Sequence, residues 1–433
     1  MIDDGTFLSL ESEVRSYCRS FPAVFKKALG CHVEDENGRQ FIDFLSGAGS
    51  LNYGHNNPHI KRAVVDYLEG GGIVHSLDLY TVAKRSFLDT FNDVILARRG
   101  LEYRMQFPGP TGTNAVEAAL KLARKVTGRS TIAAFTNGFH GMSLGSLAAT
   151  ANAAKRRGAG VHLAHVVRLP FDGYFGKNID TMAMAEKLLR DPGSGIDQPA
   201  AFLVETVQGE GGVNLASIDW LRRLADLAAR IDALLIVDDI QAGCGRTGSF
   251  FSFEEAGIVP DIVCLSKSIG GIGLPMSLVL IKPQYDIWLP GEHNGTFRGH
   301  NLAFVAGTAA LDFWRDDELA KSIRAKGALA TDRLRTLVET RLDGKGEVRS
   351  KGLIVGVAFD APELAEKVSG AAFARGLIVE TCGPRNEVLK LLPPLTIEME
   401  ALRKGLDIIE AAFLDVVERP RWHAGATITE SAA

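Results

Sequence analysis

Two charged residues, each at the end of an apolar run, are where this sequence can do chemistry. The run Ile262-Val-Cys-Leu265 reads as a buried strand and is followed at once by Ser266-Lys267-Ser268. Upstream, Leu234-Leu-Ile-Val237 reads as a second strand and ends in Asp238-Asp239. A buried ammonium is costly unless it is paired or used. A lysine amine can condense with an aldehyde to form a Schiff base, and a carboxylate can keep a ring nitrogen protonated. Together these are the requirements of a pyridoxal phosphate enzyme, with Lys267 carrying the aldehyde and Asp238 facing the pyridine nitrogen. Taken alone, Lys267 reads equally well as a surface lysine at a strand end. Asp238 alone reads as a helix cap or half of an ion pair.

Further residues extend the pattern. Gln241, three positions past Asp238, can reach a phenolic oxygen on the same ring. Gly109-Pro-Thr-Gly-Thr-Asn114 runs into a helix expected from Ala115 and offers free amides and a helix dipole to a phosphate; the alternative is an ordinary helix cap at Thr113 or Asn114. Phe139, in Phe139-His140-Gly141, can stack on a flat ring or be one more core phenylalanine. Arg298, in Thr296-Phe-Arg-Gly299, is either a carboxylate clamp or a surface arginine. Gly243-Cys-Gly-Arg-Thr-Gly248 matches a dinucleotide fingerprint, but Ser249-Phe-Phe-Ser-Phe253 after it is no clear helix and no acid ends a strand about 20 residues on, so the match reads as fortuitous.

The elements needed to position these residues alternate along the chain. Val116, Ala119, Leu120 and Ala123 recur at helical spacing with Glu117 and Lys121 on the wet face. Thr131–Phe135 and Ala200–Val204 read as strands, the second ending in Glu205. Leu221, Leu224, Ala225 and Ala228 mark another helix. This alternation implies an α/β fold with a parallel sheet covered by helices on both faces, whose ligands bind beyond the carboxyl ends of the strands. Val33 to Phe44 reads as a hairpin turning at Glu36-Asn-Gly38. From about Ala310 the pattern becomes a smaller α+β unit that includes the strand Leu353–Phe359. The tail from Trp422 lacks periodicity.

Size and composition bound the rest. A chain of 433 residues predicts two domains, and its 46% hydrophobic and 23% charged residues are ordinary for a globular protein. A net charge of -4 with mixed signs gives no case for nucleic acid or an anionic membrane. Five scattered cysteines argue against disulfides and against a zinc site, so no metal is expected, and they fit a reducing cytosol. The acidic N-terminus is not a secretory signal. The longest stretch free of charged residues, Ser130 to Ala154, is too polar for a membrane span.

In combination these residues resemble the class III (fold type I) pyridoxal phosphate-dependent aminotransferases, from about Phe21 to Pro394. The resemblance rests on Asp43-Phe-Leu, Gly54-His55 and Pro58, on Val204–Gly212, and above all on Asp238–Gly248 and Leu265–Gly271 in this order and at this spacing. The glycine triplet that imitates a dinucleotide loop belongs to that signature. The resemblance implies a large, mostly parallel-sheet domain at 55–310 and a smaller α+β domain built from both termini, 1–54 and 311–433. It implies that Lys267 forms the Schiff base, Asp238 binds the pyridine nitrogen, Gln241 the ring oxygen, Gly112 and Thr113 the phosphate, and Phe139 the ring face. Thr296 is implied to reach the phosphate site of a neighbouring subunit, which makes a homodimer the minimum active unit.

The runs Glu11–Tyr17, Gly47–Pro58, Gly109–Glu117 and Leu389–Leu395 are most similar to the subgroup that exchanges amino groups between glutamate and aspartate 4-semialdehyde in ectoine synthesis. Lys390 stands where many class III enzymes place an arginine, Asn114 where an acid is usual, and Gly299-His300-Asn301 where Gly-Asn-Pro is common. Lys390, Glu205 and Arg298 are the expected substrate contacts, with Glu205 pairing to Lys390 when a terminal amine reacts and releasing it for glutamate. The readings set against this one are a class III enzyme for another amine, an aminomutase or racemase with the same cofactor, and an NAD-dependent dehydrogenase.

Overall fold

Apolar strands separated by amphipathic helices assemble one large sheet, and its carboxyl edge carries the residues singled out above. The computed structural model describes residues 5–342 and 346–418. An N-terminal meander comes first: β1 (Phe25–Leu29), β2 (His32–Asp35) and β3 (Gln40–Asp43). β2 and β3 pair antiparallel around Gly38, which takes a positive φ, while the Asp35 carboxylate accepts from the amides of Asn37 and Arg39. The Glu36-Asn-Gly38 turn is therefore where the sequence puts it.

The chain continues through β4 (Arg104–Gln106), β5 (Ile132–Phe135), β6 (Val166–Leu169) and β7 (Ala201–Val204). A two-stranded excursion follows, β8 (Val207–Gln208) with β9 (Asn214–Leu215), then β10 (Leu234–Asp238), β11 (Ile262–Leu265) and β12 (Leu278–Ile281). The large sheet has seven strands in the order β4-β12-β11-β10-β7-β5-β6. β6, β5, β7, β10 and β11 are parallel, and β12 runs antiparallel to both its neighbours. The exception has a simple cause: the connection from β11 to β12 is taken up by the turn bearing Lys267 and holds no crossover helix to carry the chain back. β5, β7, β10 and β11 are buried at every residue, as central strands covered on both faces must be.

Two of the covering helices are Gly112–Thr127 and Ile218–Arg230. Val116, Ala119, Leu120 and Ala123 are all buried on the first, as their spacing predicts. Glu117 departs from expectation. It is half-buried and accepts from Ser143 Oγ and from the amides of Gly145 and Ser146, so it caps the short Leu144–Ala149 helix instead of facing water.

The C-terminal strands are β13 (Gly346–Lys351), β14 (Ile354–Phe359), β15 (Leu377–Ile378), β16 (Glu380–Cys382) and β17 (Val388–Leu391). Four of them form the antiparallel sheet β13-β14-β17-β16, while β15 pairs in parallel with β3 of the N-terminal meander. Ile42 and Phe44 share one apolar core with Leu334, Val357, Leu389 and Leu402. This pairing supports the division we propose, 1–54 with 311–433 as one domain and 55–310 as the other. The acidic residues at the N-terminus up to Asp4 and the tail from Trp422 lie outside the described residues.

Gly243–Gly248 forms turns and leads into no helix, so it is not a dinucleotide loop. Its Arg246 is fully buried and donates to the carbonyls of Leu353 and Pro393 and to Asn52 Oδ1, which ties the β10 loop to both ends of the chain. Replacement by leucine strands three buried acceptors. We expect Arg246→Leu to lower the unfolding free energy by about 3 kcal/mol or more; a loss under about 1 kcal/mol in denaturant titration contradicts this role.

Candidate active site

The strand order reverses direction between β5 and β7, and there the carboxyl ends deliver side chains into one crevice. Asp238 is the last residue of β10 and pairs in register with Cys264 of β11, three residues before Lys267. Val204 pairs with Val237, so Glu205 emerges beside Asp238. The parallel register alone therefore gathers Glu205, Asp238 and Lys267.

Lys267 has φ +53°, a left-handed conformation that costs a non-glycine residue on the order of 1–2 kcal/mol. Its Nζ donates to the carbonyl of Ala48 at 2.8 Å, and the neighbouring Ser268 Oγ donates to the carbonyl of Gly49 at 2.6 Å. The facing segment is itself left-handed at Ser46 and Ala48. Burial pulls the Lys267 ammonium below the ordinary lysine range, against the opposing pull of Glu210. The amine is thereby brought nearer the neutral form that reacts with a carbonyl.

Asp238 is buried, with Oδ2 bonded to His140 Nδ1 at 2.7 Å and Oδ1 accepting from the amide of Ile240 at 3.2 Å. Burial alone would lower the His140 value, but the bond to Asp238 and its charge outweigh this and raise it. His140 was not among the residues expected here. Its only signal in the sequence is its place beside Phe139, just past β5. Glu205 accepts from the amide of Phe139 at 2.9 Å. Burial, helped by Asp238 and opposed by His140, lifts its carboxyl to about 8.

The expected Glu205–Lys390 pair is not formed. Lys390, on β17, is fully buried and paired with Glu210 Oε1 at 2.5 Å and Glu380 Oε1 at 3.2 Å. Glu205 is held instead by the backbone turn after β5. Burial pulls Lys390 down, yet the two carboxylates raise it well above the usual lysine value. Burial pushes Glu210 up, but Lys390 and Lys267 prevail and hold it at about 2. Gln241 Nε2 donates to Glu210 Oε1 at 3.0 Å and to the Ala48 carbonyl at 3.1 Å, so it joins this network and the Lys267 contact.

The Gly112–Thr127 helix begins three residues earlier than expected, with Thr111 as its cap and the Thr111 amide bonded to Asn114 Oδ1. Gly112 and Thr113 are thus its first two residues, whose amides have no partner within a helix. Thr113 Oγ1 lies 2.5 Å from Ser143 Oγ, which adds a hydroxyl the sequence did not suggest. Phe139 is half-buried and lines a cavity of about 1040 Å³ that also meets Tyr17, Lys155, Glu210 and Glu380. The loop carrying Thr296 and Arg298 keeps to its own surroundings: His75 Nε2 bonds the Thr296 carbonyl, and Arg298 donates to Asn294 Oδ1.

Pyridoxal phosphate fits these residues. Asp238, already bonded to an imidazole and buried beside Glu205, is a carboxylate suited to a ring N–H. The helix-start amides at Gly112 and Thr113 suit a phosphate, and Lys267 is an amine of lowered basicity set between them.

The Glu205 value makes a stability prediction. Its folded value of about 8 lies above the ordinary 4.5, so its contribution is complete below 4.5 and is lost as pH rises through about 8. Glu205→Gln should therefore show a smaller loss of unfolding free energy than the wild type between about pH 5 and about pH 9. Parallel stability profiles contradict the raised value.

Comparison with known proteins agrees with this geometry. The family model described as aminotransferase class-III matches residues 15–413. A diaminobutyrate–2-oxoglutarate transaminase of Halalkalibacterium halodurans is 58% identical over 416 residues, spanning 96% of this chain and 97% of the relative. One of the same name from Bordetella parapertussis is 57% identical over 418 residues, 96% of each chain. The crystal structure of the ornithine aminotransferase from Toxoplasma gondii ME49 superposes with a TM-score of 0.84 at 27% identity, covering 96% of this chain and 94% of the other. On the matched family model and these relatives, the chain belongs to the class III aminotransferases and is a pyridoxal phosphate-dependent enzyme.

Proposed function

We propose that this enzyme moves an amino group from L-glutamate to L-aspartate 4-semialdehyde, yielding L-2,4-diaminobutyrate and 2-oxoglutarate. In this reading it serves ectoine biosynthesis in the cytoplasm and acts as a homodimer to which Thr296 contributes across the subunit boundary, with Arg298 as a clamp for a substrate carboxylate. The observation that carries the reading is Lys390 buried between two carboxylates, joined to relatives whose names give diaminobutyrate and 2-oxoglutarate as the transamination pair. The amine and the keto acid differ in what flanks the reacting carbon, and the site must serve both.

When bound, pyridoxal phosphate supplies an electron sink for the pair of electrons left behind as a substrate carbon loses its proton. Lys267 would hold the cofactor and, once the substrate amine has replaced it there, would take the proton from that carbon and deliver it to the cofactor's former aldehyde carbon. Asp238 would keep the ring nitrogen protonated, with His140 fixing its orientation. Gln241 would face the ring oxygen, Gly112 and Thr113 would hold the phosphate, and Phe139 would cover one ring face. Glu205 steadies the Phe139 turn.

Lys390 and Glu210 sort the substrates. A terminal amine brings an uncharged carbon to the reacting position, and Glu210 then neutralises Lys390. Glutamate brings a carboxylate, which competes for Lys390 as Glu210 moves aside. This assigns to Glu210 the exchange expected of Glu205.

Half-reactions of the purified holoenzyme test the reading, followed by cofactor absorbance on adding diaminobutyrate, ornithine and 4-aminobutyrate separately. Diaminobutyrate should react with the highest kcat/KM, and a faster reaction with either other amine contradicts the substrate. Glu210→Gln should cut kcat/KM for every terminal amine by about 10-fold or more while changing glutamate less. Equal losses in both half-reactions contradict the sorting role.

A further inference from the structure

One buried carboxylate in the cavity is ion-paired but accepts no hydrogen bond at the paired oxygen. Glu380, on β16, is 5% exposed, lines the cavity, and its Oε1 makes no hydrogen bond although Lys390 Nζ lies 3.2 Å away. The geometry of the neighbouring charges explains why. Lys390 donates to Glu210 at 2.5 Å and to Gln241 Oε1 at 3.5 Å, and Gln241 Nε2 donates to Glu210 and to the Ala48 carbonyl, so the hydrogen bonds nearby go to groups other than Glu380. Lys267, the other ammonium of the cluster, acts more strongly on Glu210 than on Glu380. Tyr17 approaches Glu380 from the cavity side.

Resting on the diaminobutyrate reading, we infer that Glu380 receives the α-ammonium of the diamino acid, the charged nitrogen that does not react, and thereby selects this substrate over terminal amines that lack it. Two facts converge on this role. Two carboxylates face the Lys390 ammonium, and its short hydrogen bond goes to Glu210. The unsatisfied oxygen is the one on Glu380, and a buried acceptor left without a donor is unfavourable until a ligand supplies one. Burial lifts the Glu380 carboxyl to about 7 in spite of Lys390.

The roles of the two carboxylates are separable. Glu210 compensates Lys390 for any terminal amine, whereas Glu380 reads a group present only on the diamino acid. Diaminobutyrate and 4-aminobutyrate form a matched pair for this purpose, because they differ only in the α-ammonium. Glutamate, whose single ammonium is the one that reacts, is the control.

The experiment compares wild type, Glu380→Gln and Glu380→Asp holoenzymes in single half-reactions with diaminobutyrate, 4-aminobutyrate and glutamate. Glu380→Gln should lower kcat/KM for diaminobutyrate by about 100-fold, the loss expected for one charge-assisted hydrogen bond. Glutamate, whose carboxylate meets one competitor fewer at Lys390 in this variant, should lose none of its kcat/KM, which also reports that the variant is folded and loaded. The preference for diaminobutyrate over 4-aminobutyrate should shrink accordingly, and Glu380→Asp should restore part of it. A loss shared equally by diaminobutyrate and glutamate, or a preference over 4-aminobutyrate that Glu380→Gln leaves unchanged, overturns the assignment. A wild type unreactive toward diaminobutyrate while glutamate reacts overturns the substrate reading beneath it, and the role of Glu380 with it.

Discussion

Lys267 donates to the Ala48 carbonyl across two backbone segments that are both left-handed, Ser46–Ala48 on one side and Lys267 on the other. Neither segment holds this conformation for its own benefit. Each is fixed by what surrounds it: Ser268 bonds to the Gly49 carbonyl, Ser266 to the Met276 carbonyl, and Gln241 to the Ala48 carbonyl. A non-glycine residue in this region persists only where the surroundings overdetermine it. That local cost aims one amine into the crevice. The buried strands β10 and β11 then bring Asp238 to the same edge, so the chemistry depends on a sheet rigid enough to carry the strain.

Around this contact the charges fall into two networks with different physics. Asp238, His140 and Glu205 form a buried group in which the imidazole bonds Asp238, while burial, helped by the Asp238 charge, raises Glu205. Lys390, Glu210 and Glu380 form the other, in which one ammonium serves two acids and lowers Glu210 strongly while Glu380 remains raised. Each network is a buried charge cluster that stabilises the fold poorly on its own. Their placement makes sense as electrostatic preparation for ligands, the first for a ring nitrogen and the second for the ends of two unlike substrates.

Much of this was legible in the sequence, for physical reasons. Fully apolar runs ending in a charge located β7, β10 and β11, and the parallel pairing then fixed Glu205, Asp238 and Lys267 together. The Glu36-Asn-Gly38 turn and the faces of two helices followed from turn chemistry and helical spacing. What escaped was set by long-range contacts. Glu210 and Glu380 sit on short loop and strand segments without periodicity, and only the fold brings them to Lys390. Glu205 resembled the partner of Lys390 because strand-end acids point to a crevice, but which side of the crevice is decided by the turn after β5. His140 was masked by its aromatic neighbour, and Glu117 was taken for a wet-face residue because helical spacing is blind to the Ser143 loop packed on it. The antiparallel β12 escaped because the sequence between β11 and β12 looks like any other connection.

The most direct test is to reduce the purified holoenzyme with borohydride, which fixes an imine-bound cofactor to its lysine, and to map the modified peptide by mass spectrometry. The account predicts a single pyridoxyl phosphate adduct, on Lys267. An adduct on another lysine, or none in a protein supplied with pyridoxal phosphate, would contradict it.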